Sequence, residues 1–279
     1  EGGAVSEGVL PSLPGPAAMV GLAEKGHINV RLTARGAGGH ASSPPKETAI
    51  SRLARAIRRV VNTPFPRRIT RTVNAFLSSL SPHLTGFEGV LFRLRPVTTP
   101  LLLLALRRNP RTRAMVESTQ AVTMVSGGSA ENVLPDSAWA VVNIRLLQGD
   151  SIESALEHIR EAVDDPEVSV ELHGEWGNNT AVEETPVDHP LLAVIERALS
   201  SVLPGTPVIP YLPAASTDSA SYSALTANIF RFVPMLLDAE ALSLIHNVDE
   251  RVTVENVERC VGFYKEFLRS ASGKESNSE

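Results

Sequence analysis

"HINVRLTAR", residues 27–35, alternates apolar and polar side chains with the period of two that a half-buried strand requires. A loop later, "PPKETAISRLARAIRRVVN", residues 44–62, changes to the three-and-four spacing of a helix, with Pro44 and Pro45 at its expected start. Two more alternating runs follow downstream, "AVTMVSG" (121–127) and "SAWAVVNIRLL" (137–147), joined by the polar "GSAENVLPD". After them "IESALEHIREAV" (152–163) is helical, with Asp150 or Ser151 available to cap it, and "VSVELHG" (168–174) closes the set as a strand. The order β-α-β-β-α-β is that of the ferredoxin-like split fold, and it predicts an α/β chain built around such a unit.

Outward from this unit the pattern changes. Residues 64–118 interrupt it between its first helix and second strand, and carry the leucine-rich run Leu101–Leu106 together with an arginine-rich, solvated stretch. Beyond residue 180, "HPLLAVIERALSSVL" (189–203) is helical, "TPVIPYLP" (206–213) and "NIFRFVP" (228–234) are expected strands, and "TVENVERCVGFYKEFLRS" (253–270) is an amphipathic helix. Residues 27–175 are therefore expected to form a domain inserted into another, whose pieces are 1–26 and 176–270, with 271–279 a disordered tail.

Composition narrows the function. With 279 residues and 43% hydrophobic content the chain can bury a substantial core, while a net charge of −5 supplies no basic field for nucleic acid. The longest unbroken apolar run, Leu101–Leu106, falls far short of the roughly 20 residues a membrane-spanning helix needs, so no transmembrane segment is expected. The single cysteine, Cys260, excludes an intrachain disulfide. The chain opens on neither an initiator Met nor a targeting segment, which points to removal of the natural N-terminus.

The segments that carry chemistry are "EGGAV" at residue 1, "GGHASSPP" around His40, "AENVLPDSAWAVVNIR" with Asn132 and Arg145, and the pair "STDSASY" and "LIHNVDERV" with Thr217, Asp218 and His246. Each is weak alone. A Glu before two glycines is ordinarily a turn residue, a lone His is ordinarily a packed one, and an Arg in an alternating strand is ordinarily an ion-pair partner. Taken in order, with "EKG" (24–26) and "FRFVP" (230–234), they resemble the zinc-dependent amidohydrolase and exopeptidase family of aminoacylase, glutamate carboxypeptidase, carboxypeptidase S and succinyl-diaminopimelate desuccinylase. The similarity is strongest to the carboxypeptidase S branch, which includes a secreted enzyme of N-fatty-acyl amino acids, and extends from Glu1 to about Ser270.

The resemblance implies a dinuclear-zinc, aminopeptidase-like catalytic domain interrupted by a ferredoxin-like lid that forms a homodimer interface. The implied reaction is hydrolysis of the amide bond of an N-acyl amino acid or small peptide by metal-activated water. Matched residue by residue, Glu1 and His246 correspond to ligands of different zinc ions. His40 corresponds to a lid histidine that steadies the oxyanion in the neighbouring subunit's site. Asn132 matches a lid asparagine that binds the substrate carbonyl or carboxylate, and Arg145 a strand arginine for which structural and substrate-binding roles both stand open. Thr217 and Asp218 fall in the substrate-binding "TDS" segment. Cobalt or manganese suits the same ligand chemistry as zinc.

The match departs from the family in two respects. The family's upstream His-x-Asp segment, bridging Asp and Glu-Glu pair would precede Glu1, so the chain is expected to be the C-terminal part of a longer enzyme and inactive alone; the alternative is an inactive fragment or homologue serving as a dimerisation module. Ala220 stands where the branch has an arginine, so Arg231 becomes the candidate for binding a substrate carboxylate. Leu101–Leu106 is read as the lining of an acyl channel or as core or dimer packing.

Overall fold

In the computed structural model, residues 2–7, 13, 15–84, 95–107, 109–174, 177–213 and 216–273 are described. The chain divides into two units: unit 1 comprises Glu1–Glu24, Ile69–Asn109 and Glu183–Glu279, and unit 2 comprises Lys25–Arg68 and Pro110–Val182. The outer boundaries lie at 24/25 and 182/183, close to the 26/27 and 175/176 read from the sequence. Most of the segment 64–118 clusters with unit 1 instead of extending the inserted domain. The expected disordered tail lies largely outside the described residues, since only 271–273 are described.

The strands are β1 (Val5–Ser6), β2 (Ala17–Gly21), β3 (Gly26–Arg35), β4 (Gly39–His40), β5 (Thr119–Gly127), β6 (Val133–Leu134), β7 (Ser137–Leu146), β8 (Val168–Leu172), β9 (Val208–Tyr211) and β10 (Leu236–Leu237). The helices used below are α1 (Ala49–Asn62), α2 (Arg71–Leu80), α3 (Arg95–Leu106), α4 (Pro110–Val116), α5 (Ile152–Val163), α6 (Pro190–Val202), α7 (Ala239–Leu244) and α8 (Val254–Ala271).

Unit 2 is the ferredoxin-like element. Its four-stranded sheet has the order β5-β7-β3-β8, with every pairing antiparallel. Alternate residues of β3 (Ile28, Val30, Leu32, Ala34) and β7 (Ala138, Ala140, Val142, Ile144) turn to one face, where Leu53, Ala56 and Val60 of α1 and Ala155 and Ile159 of α5 complete a buried core. This is the period-two signal of "HINVRLTAR" realised as packing. On the opposite face Arg31 stacks over the Trp139 ring at 4.6 Å. Each helix starts where its cap allows. Thr48 and Ser51 form a capping box for α1, so Pro44 and Pro45 lie in the preceding exposed loop and not at the helix start as expected. Ser151 caps α5 through the Ser154 amide. Arginines near the start of the 64–118 segment are held: Arg67 pairs with buried Glu117 at 2.9 Å and Arg68 with Asp150 at 2.9 Å.

Unit 1 contains a mixed sheet of order β10-β1-β2-β9, in which β1 and β2 are antiparallel and the outer pairings parallel. Val5, Ala18, Val20 and Leu22 pack beneath Leu192, Ile195 and Leu199 of α6 and Phe263 of α8. The closing helix departs from simple amphipathicity: besides Phe263 it carries Val257, Val261 and Leu268 on a largely exposed face. "NIFRFVP" is not a strand. Arg231 exchanges hydrogen bonds with Gly21, but Val233 donates to Gly3 instead, so the extended segment divides its bonding between two neighbours and never forms a ladder. In the leucine-rich α3, Leu102 is buried while Leu101 and Leu104 are exposed. Among the described residues no helix is long and apolar enough to cross a membrane.

Candidate functional site

The first cluster belongs to unit 2. His40 ends β4, which pairs with β6 in a two-stranded ribbon placing His40 opposite Val133, and Ala41 donates its amide to the Asn132 carbonyl at 3.0 Å. The two lid residues singled out from sequence are therefore neighbours, both exposed. Gly39 adopts a φ of +150°, which the absence of a side chain permits. The Ser42 amide donates to His40 Nδ1 at 3.2 Å, with Ser42 Oγ 2.8 Å away. A nitrogen that accepts from a backbone N–H carries no proton, so the proton of the neutral ring sits on Nε2, where it is a donor. The loop of small residues fixes the tautomer.

Arg145 is not part of that cluster. It lies opposite His27 near the far end of the β3/β7 pair, eight residues along from Ser137, a distance of roughly 26 Å at about 3.3 Å per residue. There its charge bears on His27, whose pKa is lowered by burial first and by Arg145 second. Beside it Lys25, only 2% exposed, donates from Nζ to the carbonyls of Ala114 (3.0 Å) and Glu117 (2.9 Å). Burial outweighs the nearby Glu117 and Asp150 charges and brings the Lys25 pKa down to about 8.

The second cluster belongs to unit 1 and joins segments far apart in the chain. Glu24 and Arg231 are each 1% exposed and pair at 3.0 Å. Arg231 is therefore neither a surface charge nor an open carboxylate binder: its Nε is engaged by Glu24 and by Ser219 Oγ at 2.6 Å, and its Nη1 by the Ile229 carbonyl at 3.2 Å. Glu24 Oε1 accepts from the Thr217 amide at 2.9 Å, and Oε2 from Thr217 Oγ1 at 2.7 Å and Ser219 Oγ at 2.8 Å. Burial raises the Glu24 pKa, but these donors together prevail and hold it below the usual carboxylate range. Thr217 also caps the 3₁₀ turn Asp218–Tyr222, which contains Ala220 and exposes Asp218.

The glycines of "EGG" meet this cluster. Gly2 has φ +99°, and a Cβ there would stand 3.1 Å from Thr217 Cγ2 and 3.4 Å from Arg231 Cβ, while one on Gly3 would overlap the Met19 carbonyl. Glu1 itself lies outside the described residues. His246 is exposed after α7 with a left-handed φ of +61°, and its amide donates to Glu250 Oε2 at 3.1 Å. Among the described residues no group of three or more His, Cys, Asp or Glu side chains stands close enough to hold a metal, so these residues alone do not make a metal site.

Sequence reasoning missed Glu24 and Ser219 as members of the cluster. Two adjacent charges, Glu24 and Lys25, directly after the apolar "AAMVGLA" were the available signal. A groove of about 610 Å³ in unit 1, between α2 and the start of α6 and lined by Arg71, Ser78, Glu184 and Asp188 among others, holds none of the candidate residues.

The ferredoxin-like unit, inserted by sequence into an α/β unit, thus carries a histidine and an asparagine at neighbouring positions of a short ribbon. Residues 22–171 match the peptidase dimerisation domain of the M20 peptidases, and the chain belongs to that family. It is 31% identical over 265 residues to a probable carboxypeptidase S-like protein of Dictyostelium discoideum, covering 94% of this chain and 50% of the relative. To the N-fatty-acyl-amino acid synthase/hydrolase of Mus musculus it is 29% identical over 279 residues, covering 97% of this chain and 54% of the relative. The chain thus spans about half the length of these relatives. Among solved structures it is similar in fold to an M20 family metallo-carboxypeptidase from Sulfolobus solfataricus (TM-score 0.58, 13% identity, 91% of this chain and 64% of the other). It is likewise similar to human carnosine dipeptidase 1 (TM-score 0.52, 12% identity, 96% and 59%).

Proposed function

We propose that the protein acts in metal-dependent hydrolysis of the amide bond of N-acyl amino acids or small peptides, supplying the lid and the substrate-binding turn of the enzyme. The observation that carries this reading is the His40–Asn132 ribbon: an exposed imidazole whose Nδ1 accepts from the Ser42 amide, which leaves Nε2 available to donate, beside an exposed Asn132, on a dimerisation domain. The similarity to a carboxypeptidase S and to an N-fatty-acyl-amino acid synthase/hydrolase supports the substrate class.

In this reading His40 donates from Nε2 to the oxyanion formed in the active site of a second copy, and Asn132 donates to the substrate carbonyl or carboxylate. The Thr217–Asp218 turn contacts substrate. Glu1 and His246 are the metal ligands this chain contributes, zinc being the ion the family implies, with further ligands coming from outside the described residues. Arg145 takes the structural role. The lid dimer is supported by β5, a long edge strand that among the described residues pairs only with β7 and exposes Met124 and Val125. With Ala220 at the branch's arginine position and Arg231 bound to Glu24, hydrolysis is expected to depend weakly on a free substrate carboxylate.

The test uses the polypeptide encoded by the complete reading frame, with metal content and cleavage of a panel of N-acyl amino acids and dipeptides measured together. About two bound metal ions and cleavage are expected. His40→Ala should lower kcat on the order of 100-fold or more with the metal retained, whereas His246→Ala should lose metal and activity together. A dimer that binds no metal and cleaves nothing would overturn the enzyme reading in favour of a dimerisation module.

A further inference from the structure

We propose that Glu24 is a positioning residue that sets the presentation of Asp218 to substrate, with Arg231 as its buried counter-charge; this rests on the hydrolase reading above. The turn at residues 217–219 alternates: Thr217 and Ser219 both donate inward to the Glu24 carboxylate, and Asp218 between them is exposed. A single carboxylate accepts from the Thr217 amide, two hydroxyls and a guanidinium, and the two hydroxyls also lie 2.6 Å from each other, so the turn itself is tied to residue 24 at three points. A change in the acceptor at residue 24 is expected to alter the direction in which Asp218 points.

Stability alone does not account for the pair. Removing two ions from water is costly, and a buried ion pair can often be replaced by apolar side chains of similar volume without loss. What apolar residues cannot reproduce is the inward pull on the Thr217 N–H and on both hydroxyls. Arg231 also carries a sign that its pairing was not built for strength, since its buried Nη2 has no hydrogen-bond partner among the described residues. The same arginine backs Gly2, whose missing side chain leaves room for Thr217 Cγ2, so the anchor is shared by the turn and by the segment that follows Glu1.

The experiment compares wild type, Glu24→Gln and the double variant Glu24→Gln/Arg231→Met in the complete enzyme, reading Tm, metal content, KM and kcat. Glu24→Gln is expected to lower Tm, because it leaves Arg231 buried without its counter-charge. The double variant is expected to recover Tm, yet retain a KM raised about 10-fold at unchanged metal content. Recovery of KM together with Tm would show a purely structural pair and overturn the proposal.

Amide exchange of Thr217 and Ser219, measured on the chain described here, gives a readout independent of catalysis. Their protection is expected to fall in the double variant while that of β2 stays, and unchanged protection would overturn the proposal. If the wild-type enzyme cleaves no amide, the hydrolase reading falls, and the exchange result still decides whether Glu24 holds the turn.

Discussion

Adjacent residues Glu24 and Lys25 show how one dipeptide can carry opposite physical logic. Donors hold the Glu24 carboxyl low in pKa despite burial, while burial brings the Lys25 ammonium down despite nearby carboxylates. The linkage has the same sign for both. A depressed pKa contributes stability above the unfolded value that is lost as pH falls through the folded one, so the Lys25 contribution is complete above about 10.5 and lost through about 8. Between those values the unfolding free energy of wild type should rise relative to Lys25→Met by about 3 kcal/mol, measured by urea unfolding at several pH values. Parallel profiles for the two proteins would contradict this. Neither charge was legible as buried, because sequence shows a charge but not its partners, which here lie at residues 114–117 and 217–231. His40 and Asn132 were singled out by the resemblance to the family, and the structure places them at neighbouring positions of an exposed ribbon.

At the scale of elements, legibility followed local determination. Strands β3 and β7 each bury every second residue against two helices, so a period of two in the sequence survives into the fold. "FRFVP" has comparable apolar content but no continuous partner, and a strand exists only where a neighbour completes its bonding. The helix starts are testable in the same terms. Ser151→Ala removes the acceptor for the Ser154 amide and half of a capping box, and should cost about 1 kcal/mol by chemical denaturation. Gly3→Ala should be far worse: a methyl group overlapping the Met19 carbonyl forces β1 away from β2, and a loss of more than about 3 kcal/mol is expected for unit 1, seen as loss of amide protection in β2.

At the scale of the molecule, the proposed dimer through the edge of β5 is expected to be sensitive to charge placed there. Met124→Lys and Val125→Lys together place charge along that edge and should convert the expected dimer to monomer by light scattering, with the helical signal unchanged. A dimer unaffected by the pair would move the interface elsewhere. The sequence pattern read the plan as an insertion with outer boundaries near those of the two units, but not the assignment of the segment within it. Nothing in the composition of Ile69–Asn109 reveals which core that segment joins, because either one offers apolar surface to a helix.

That interleaving of segments dictates an order of birth. Unit 2 is complete once Val182 has left the ribosome, whereas unit 1 waits for α8, whose Phe263 fills its core near the end of translation. During that interval β1 and β2 have been synthesised but lack the helix that covers them. The nascent chain at that point carries a complete unit 2 and a β1–β2 pair that still lacks β9, β10 and its covering helices, which is the species that chaperones would be expected to meet.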